Sequence, residues 1–156
     1  MFFENLKNYN VLLASNSKRR HELLNQLGVQ FKIINQDVNE SFSNELKSSM
    51  ITDYLAKKKS SKLVKSLKKN DLLITSDTIV WHKNIALGKP KNRTEAFKMI
   101  KSLENSSHEV ITSLCISTVN LQVIVNEKTL VFFDSIDDND LLYYTKTSDV
   151  LDRAGS

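Results

Sequence analysis

The sequence is poor in the residues that usually mark turns, cross-links and metal sites: three glycines, one proline, one cysteine and three histidines in 156 residues. A single cysteine excludes an internal disulfide framework. Cys115 also sits inside an apolar, strand-like run, which reads as a buried structural thiol rather than a nucleophile. His21, His82 and His108 lack the spacing of metal ligands. No apolar run approaches bilayer length, and the start, Met1-Phe2-Phe3-Glu4, lacks the charged head and long apolar core of a secretory signal. No membrane partner and a cytoplasmic location are therefore expected. Repeats, low-complexity tracts and linkers are absent as well, so residues 1–156 read as a single domain. The lysine-rich runs carry no interleaved aromatics and no nucleic-acid motif, so a nucleic-acid partner is not expected.

What remains is a globular composition, 40% hydrophobic and 26% charged, with a net charge of +4 that points weakly to anionic partners. The densest stretch is 11–28. Val11 to Ala14 is a short apolar run that reads as a buried strand. Ser15, Asn16 and Ser17 follow as candidate N-caps. Leu23, Leu24 and Leu27 then recur at helical spacing until Gly28 closes the helix. Strand, tight loop and helix in that order leave free N–H groups and partial positive charge at the helix start. Arg19 and Arg20 reverse the usual preference for acids there; either they are solvated surface charges or an anion sits among them.

Further on, Phe31 to Ile34 reads as a second strand, followed by a polar loop containing Glu40. Residues 48–69 form a helical pattern with an apolar stripe of Ile51, Leu55, Ala56, Leu63 and Leu67. Lys59 falls near the middle of that stripe, where a lysine either snorkels or meets a buried anion. In Asp71 to Trp81 two apolar segments flank Ser76-Asp77-Thr78, placing an acid among few solvating neighbours; a turn acid at a strand end is the alternative. His82-Lys83-Asn84 looks like a turn that returns through Ile85 to Leu87. Asn92 to Glu95 has the form of a capping box opening a helix with Ala96, Phe97, Ile100 and Leu103 on one face. A strand at 108–116, strands at Leu121–Val125 and Thr129–Phe133, and a helix from Asp138 to Tyr144 complete the pattern. Asp137 is the expected cap of that helix, with Ile136 and Leu141 a candidate staple.

Leu13-Ala14-Ser15-Asn16-Ser17-Lys18-Arg19-Arg20-His21-Glu22 resembles the opening signature of the Maf family, nucleoside triphosphate pyrophosphatases, with Lys18 in place of a proline. Later stretches resemble that family in the same order. Glu40 keeps the second acid of its loop pair, Ala56 and Lys59 match Ala-x-x-Lys, Asp77-Thr78 match Asp-Thr, and Gly88-Lys89-Pro90 match Gly-Lys-Pro. The resemblance implies an α/β fold, a mixed twisted sheet flanked by helices with a central cleft (Maf/ITPase-like). It implies hydrolysis of dTTP or UTP, and of modified pyrimidine nucleotides, to monophosphate and pyrophosphate. Asp77, Glu40, Lys59 and Lys89 are then the catalytic candidates, and Ser15, Ser17, Arg19, Arg20 and Thr78 the substrate-binding ones. Glu40 and Asp77 would seat a divalent cation, Mg²⁺ or Mn²⁺, and a homodimer follows by the same analogy.

Two departures bear on that reading. Asn105 and Ser113 stand where the family often has glycine, so positive φ is a concern at both. Family members also continue past the Asp152-Arg153-Ala154-Gly155-Ser156 end, with a glutamine tied to base selectivity and further elements of one lobe. A C-terminally shortened member or an incomplete sequence are both open, and with them an inactive nucleotide-binding relative.

Overall fold

The computed structural model describes residues 4–35, 37–146 and 149–156. Its order is β1 (Asn10–Leu13), α1 (Lys18–Gln26), β2 (Lys32–Ile33), α2 (Ser49–Val64), β3 (Asp71–His82), β4 (Ile85–Leu87), α3 (Arg93–Leu103), β5 (Ser106–Ser117), β6 (Gln122–Phe133) and α4 (Asp138–Tyr144). The sheet runs β2-β1-β3-β5-β6, with β4 also on β3. β1 pairs in parallel with β2 and β3, and the remaining pairs are antiparallel, so the sheet is mixed as expected.

β3 is the strand on which the rest is assembled. One edge pairs with β5 from Leu73 to Trp81. The other edge is divided: Asp71 to Ile74 pair with β1, and Val80 to His82 pair with β4. Between them, residues 75–79 have no strand beside them on that edge among the described residues. A gap of this kind, next to the carboxyl end of a parallel strand, is where open α/β sheets place ligands.

Alternation assigns the two faces. Thr75, Asp77 and Ile79 face α2: the Thr75 hydroxyl donates to the Ala56 carbonyl at 2.7 Å, and Ile79 packs with Ile51, Leu55 and Ile111. The packed stripe of α2 differs from the expected one because it is half polar. Thr52, Lys59 and Ser60 are buried beside Ile51, Leu55 and Ala56, and Leu67 lies beyond the helix end. The hydroxyls are satisfied across the layer, by Ser113 Oγ to Thr52 Oγ1 at 2.6 Å and between the Ser60 and Ser117 hydroxyls at 2.7 Å.

Several sequence expectations are corrected. Ser76-Asp77-Thr78 lies within one unbroken twelve-residue strand, not between two. β6 is likewise continuous through Asn126-Glu127-Lys128, because Asn126 and Lys128 find partners on α2 and at its start: Asn126 donates to Asp53, and Lys128 to the Ser48 hydroxyl at 2.9 Å. Ser17 caps α1 by position only. The Ser15 hydroxyl instead accepts from the Ser17 N–H at 3.2 Å, and no residue of α1 is buried; Leu23 and Leu27 are exposed. The expected closure at Gly28 is present, with φ +69°. Asn105 does take positive φ, 49°, whereas Ser113 lies in regular strand and carries no such strain. The Asn92 cap forms, its side chain accepting from Glu95 N–H at 2.9 Å, but the Glu95 carboxylate reaches back to Lys91 N–H rather than to Asn92. Asp137 caps α4 as expected.

His82 and His108 are buried at the far end of β3 and β5; His108 stacks edge-on against Phe133 at 5.0 Å. Burial lowers the His108 pKa, and the neighbouring His82 adds to the effect. The unfolded chain therefore takes up a proton that the folded chain resists. Native stability should be fully present above about pH 6.5 and fall as pH drops from there toward the lowered folded value. Urea unfolding at pH 8 and pH 5.5 should show a smaller stability difference in His108→Gln than in the unsubstituted chain; an equal difference would contradict this.

Candidate active site

The gap beside β3 opens into a cleft of about 630 Å³, and every candidate residue from the sequence lines it. Ser15, Ser17, Arg19 and Arg20 arrive from the β1–α1 loop and the first turn of α1, Glu40 from the loop after β2, and Lys59 from α2. Asp77 and Thr78 come from β3, and Lys89 from the segment after β4.

At its centre, the Lys59 ammonium lies 2.6 Å from Asp77 Oδ1 and 2.8 Å from Glu40 Oε1. Lys59 and Asp77 are both buried, so this is a desolvated pair, while Glu40 is largely exposed. The lysine on the packed face of α2 meets a buried anion and does not snorkel. Glu40 is delivered by its backbone. Two further α2 lysines clamp its loop, Lys58 donating to the Ser41 carbonyl at 2.8 Å and Lys62 to the Asp37 carbonyl at 2.9 Å.

The break in the strand ladder leaves the Ser76 carbonyl without a strand partner on that edge, and cations take it. Arg20 Nη1 donates to it at 3.1 Å and Lys59 Nζ at 3.5 Å. Arg20 also reaches Thr78 Oγ1 at 3.3 Å and Ser15 Oγ at 3.5 Å, and Thr78 Oγ1 bonds the Thr112 hydroxyl at 3.0 Å. Burial lowers the Arg20 pKa, opposed chiefly by the charges of Asp77 and Glu40; a guanidinium remains cationic throughout. His21 Nε2 meets the Ser15 carbonyl at 2.7 Å and holds the turn of the loop.

Arg19 and Lys89 form the outer, exposed part of the cleft. Both pair with Asp152, from the turn Val150–Asp152 after α4. Sequence reasoning missed Asp152 and Thr112 as cleft residues. Thr112 becomes visible only through its register opposite Thr78. Asp152 is visible only once the segment around it is known to lie against Gly88, where Gly155 N–H donates to the Gly88 carbonyl at 2.9 Å.

The Maf-like protein family model matches residues 10–156. The chain belongs to this family. It is 45% identical over its whole length to a protein of Flavobacterium johnsoniae named dTTP/UTP pyrophosphatase, covering 80% of that protein. Proteins of the same name from Christiangramia forsetii and Bacteroides fragilis are 44% and 40% identical, over 99% and 97% of this chain and 79% of each relative. Among solved structures, the Ham1 protein of Staphylococcus aureus superposes with a TM-score of 0.56 at 15% identity, over 78% of this chain and 70% of that one. A likeness at that identity speaks to the fold, which is the Maf/ITPase-like α/β sheet expected from the sequence.

Burial raises the Asp77 carboxyl above the ordinary aspartate range, with the Lys59 ammonium and its hydrogen bond the main opposing influence. Removing that ammonium takes away the largest restraint. In Lys59→Met the Asp77 carboxyl carbon, followed by NMR, should titrate at higher pH than in the unsubstituted chain. An unchanged titration would contradict the pairing.

Proposed function

We propose that this chain is a nucleoside triphosphate pyrophosphatase that hydrolyses dTTP and UTP to the monophosphate and pyrophosphate. The observation that carries the reading is a buried Asp77 facing a cleft whose other walls supply four cations from three separate stretches of chain. The shared name of relatives at 40–45% identity supports the pyrimidine triphosphate as substrate.

A triphosphate concentrates negative charge, and its hydrolysis is accelerated chiefly by positioning and charge neutralisation. Arg19, Arg20, Lys59 and Lys89 supply cations, while Ser15, Ser17 and the free N–H groups of the first turn of α1 supply hydrogen bonds to phosphate oxygens. A water bonds to the α-phosphorus as the bridging oxygen on the β side leaves with pyrophosphate. The water's proton passes to the Asp77 carboxylate, whose raised proton affinity suits a general base. Lys59 opposes the burial that favours the acid form of that carboxylate. Thr78, fixed by Arg20 and Thr112, lines the same cleft and is assigned to substrate binding.

Glu40 and Asp77 suit a divalent cation, Mg²⁺ or Mn²⁺, because both carboxylates contact the same Lys59 ammonium and so lie close enough together to share an ion beside it. Among the described residues no third His, Cys, Asp or Glu joins them. Phosphate oxygens and water would complete the shell, which is usual for Mg²⁺. When bound, the ion supplies charge neutralisation and a more acidic water. No helix among the described residues is long and apolar enough to cross a membrane, and we place the enzyme in the cytoplasm, acting on free nucleotides. A homodimer is carried by the family likeness, and no role above depends on it.

Asp77→Asn should abolish pyrophosphate release from dTTP, by at least about a hundredfold, while dTTP binding by calorimetry largely survives. In the unsubstituted enzyme kcat/KM should rise with pH along an acid limb placed above about 3.9, the ordinary aspartate value. Retained turnover in Asp77→Asn would refute the role given to this residue.

A further inference from the structure

Asp152 occupies a place that the proposed function leaves unexplained. Its carboxylate pairs with Lys89 through Oδ1 and lies 3.7 Å from Arg19 through Oδ2, and its own carbonyl accepts from Arg19 Nη2 at 2.5 Å. The two cations come from different parts of the chain, and one acid bridges them. The bridge is also built into the backbone. Val150, two residues before Asp152, is fully buried. On the other side Gly155 is tied to Gly88 and packs so closely on Val80 that an added Cβ would lie 2.7 Å from its Cγ2. Gly155 also holds φ +73°, a conformation natural to glycine. Residues 150–155 thus form a strap anchored at both ends, with Asp152 over the outer cations and Ala154 against the cleft wall.

We propose that Asp152 is an internal stand-in for a substrate phosphate, which a ligand must displace from Arg19 and Lys89 in order to bind. The proposal rests on the triphosphate reading above and deepens it. The inner cations, Arg20 and Lys59, are committed to the Ser76 carbonyl and Asp77. The outer pair is therefore what a phosphate chain must win. Exposed ion pairs are weak, so a polyphosphate reaching both cations displaces one carboxylate readily. A monophosphate, with fewer charges spread over a shorter reach, competes poorly. Asp152 accordingly lowers the affinity of any phosphate ligand that uses both cations, and its return to them helps expel the product.

The test is calorimetric binding of inorganic tripolyphosphate and of dTMP to the full chain, its Asp152→Asn variant and Asp152→Glu. Asp152→Asn should bind both more tightly, tripolyphosphate by about three- to tenfold and dTMP by no more than that. Asp152→Glu, which keeps the carboxylate, should bind both ligands about as weakly as the original chain. Equal binding of both ligands by the original chain and Asp152→Asn, or weaker binding by the variant with unchanged thermal stability, would overturn the proposal and leave Asp152 a structural tie. Failure of tripolyphosphate to bind any of the three proteins would instead overturn the triphosphate reading itself, and this proposal with it.

Discussion

Burying a carboxylate in the middle of a strand is tolerable only if a cation is buried with it, and Lys59 is placed on the inner face of α2 to meet Asp77 across the layer. Much of the site follows from that pairing. Because Asp77 belongs to a strand anchored along one edge by β5, it cannot swing away, so helix α2 must be held at the right height. The polar contacts of Thr75, Ser60 and Ser113 across the same layer do this where an apolar stripe would not have fixed the register. The second acid, Glu40, enters on a loop that α2 itself clamps, so one helix organises both carboxylates.

The gap in the ladder along β3 is the other half of the construction. It removes neighbours from residues 75–79 on one edge and opens the cleft, but it also strips a backbone carbonyl of its partner. Arg20 answers both needs. Its guanidinium satisfies the Ser76 carbonyl and bonds Thr78, and the same side chain lends positive charge to the phosphate side of the cleft. The arginine pair at the start of α1, unfavourable by helix-dipole reasoning alone, divides its work: Arg20 turns inward to the sheet, and Arg19 outward to the mouth.

Much of this was legible in the sequence, for physical reasons that differ between elements. Lys59 stood out because a charge at the centre of an apolar stripe demands a partner. Asp77 stood out because an acid inside an apolar run does the same. Neither signal told which anion met which cation; the parallel β1–β3 pairing and the layering of α2 decide that. The strand spans were misread where polar residues interrupted them. Ser76-Asp77-Thr78 and Asn126-Glu127-Lys128 look like breaks to a pattern based on hydrophobicity, yet each polar side chain that faces α2 has a partner there or nearby. Leu23 and Leu27 show the converse, helical periodicity with no packed face. Ser113 carries no strain because a strand needs no positive φ, while Asn105, in a turn, does adopt it. Asp152 lies in a stretch that resembles the family, but nothing around it marks it as a partner of the outer cations; that depends on residues 150–155 folding over the cleft.

The account turns on a water, aligned by Asp77, attacking the α-phosphorus. Hydrolysis of dTTP in ¹⁸O-enriched water, with products separated and weighed by mass spectrometry, tests this most directly. The account expects one ¹⁸O atom in the monophosphate and none in the pyrophosphate. Label in pyrophosphate, or release of labelled orthophosphate, would contradict it.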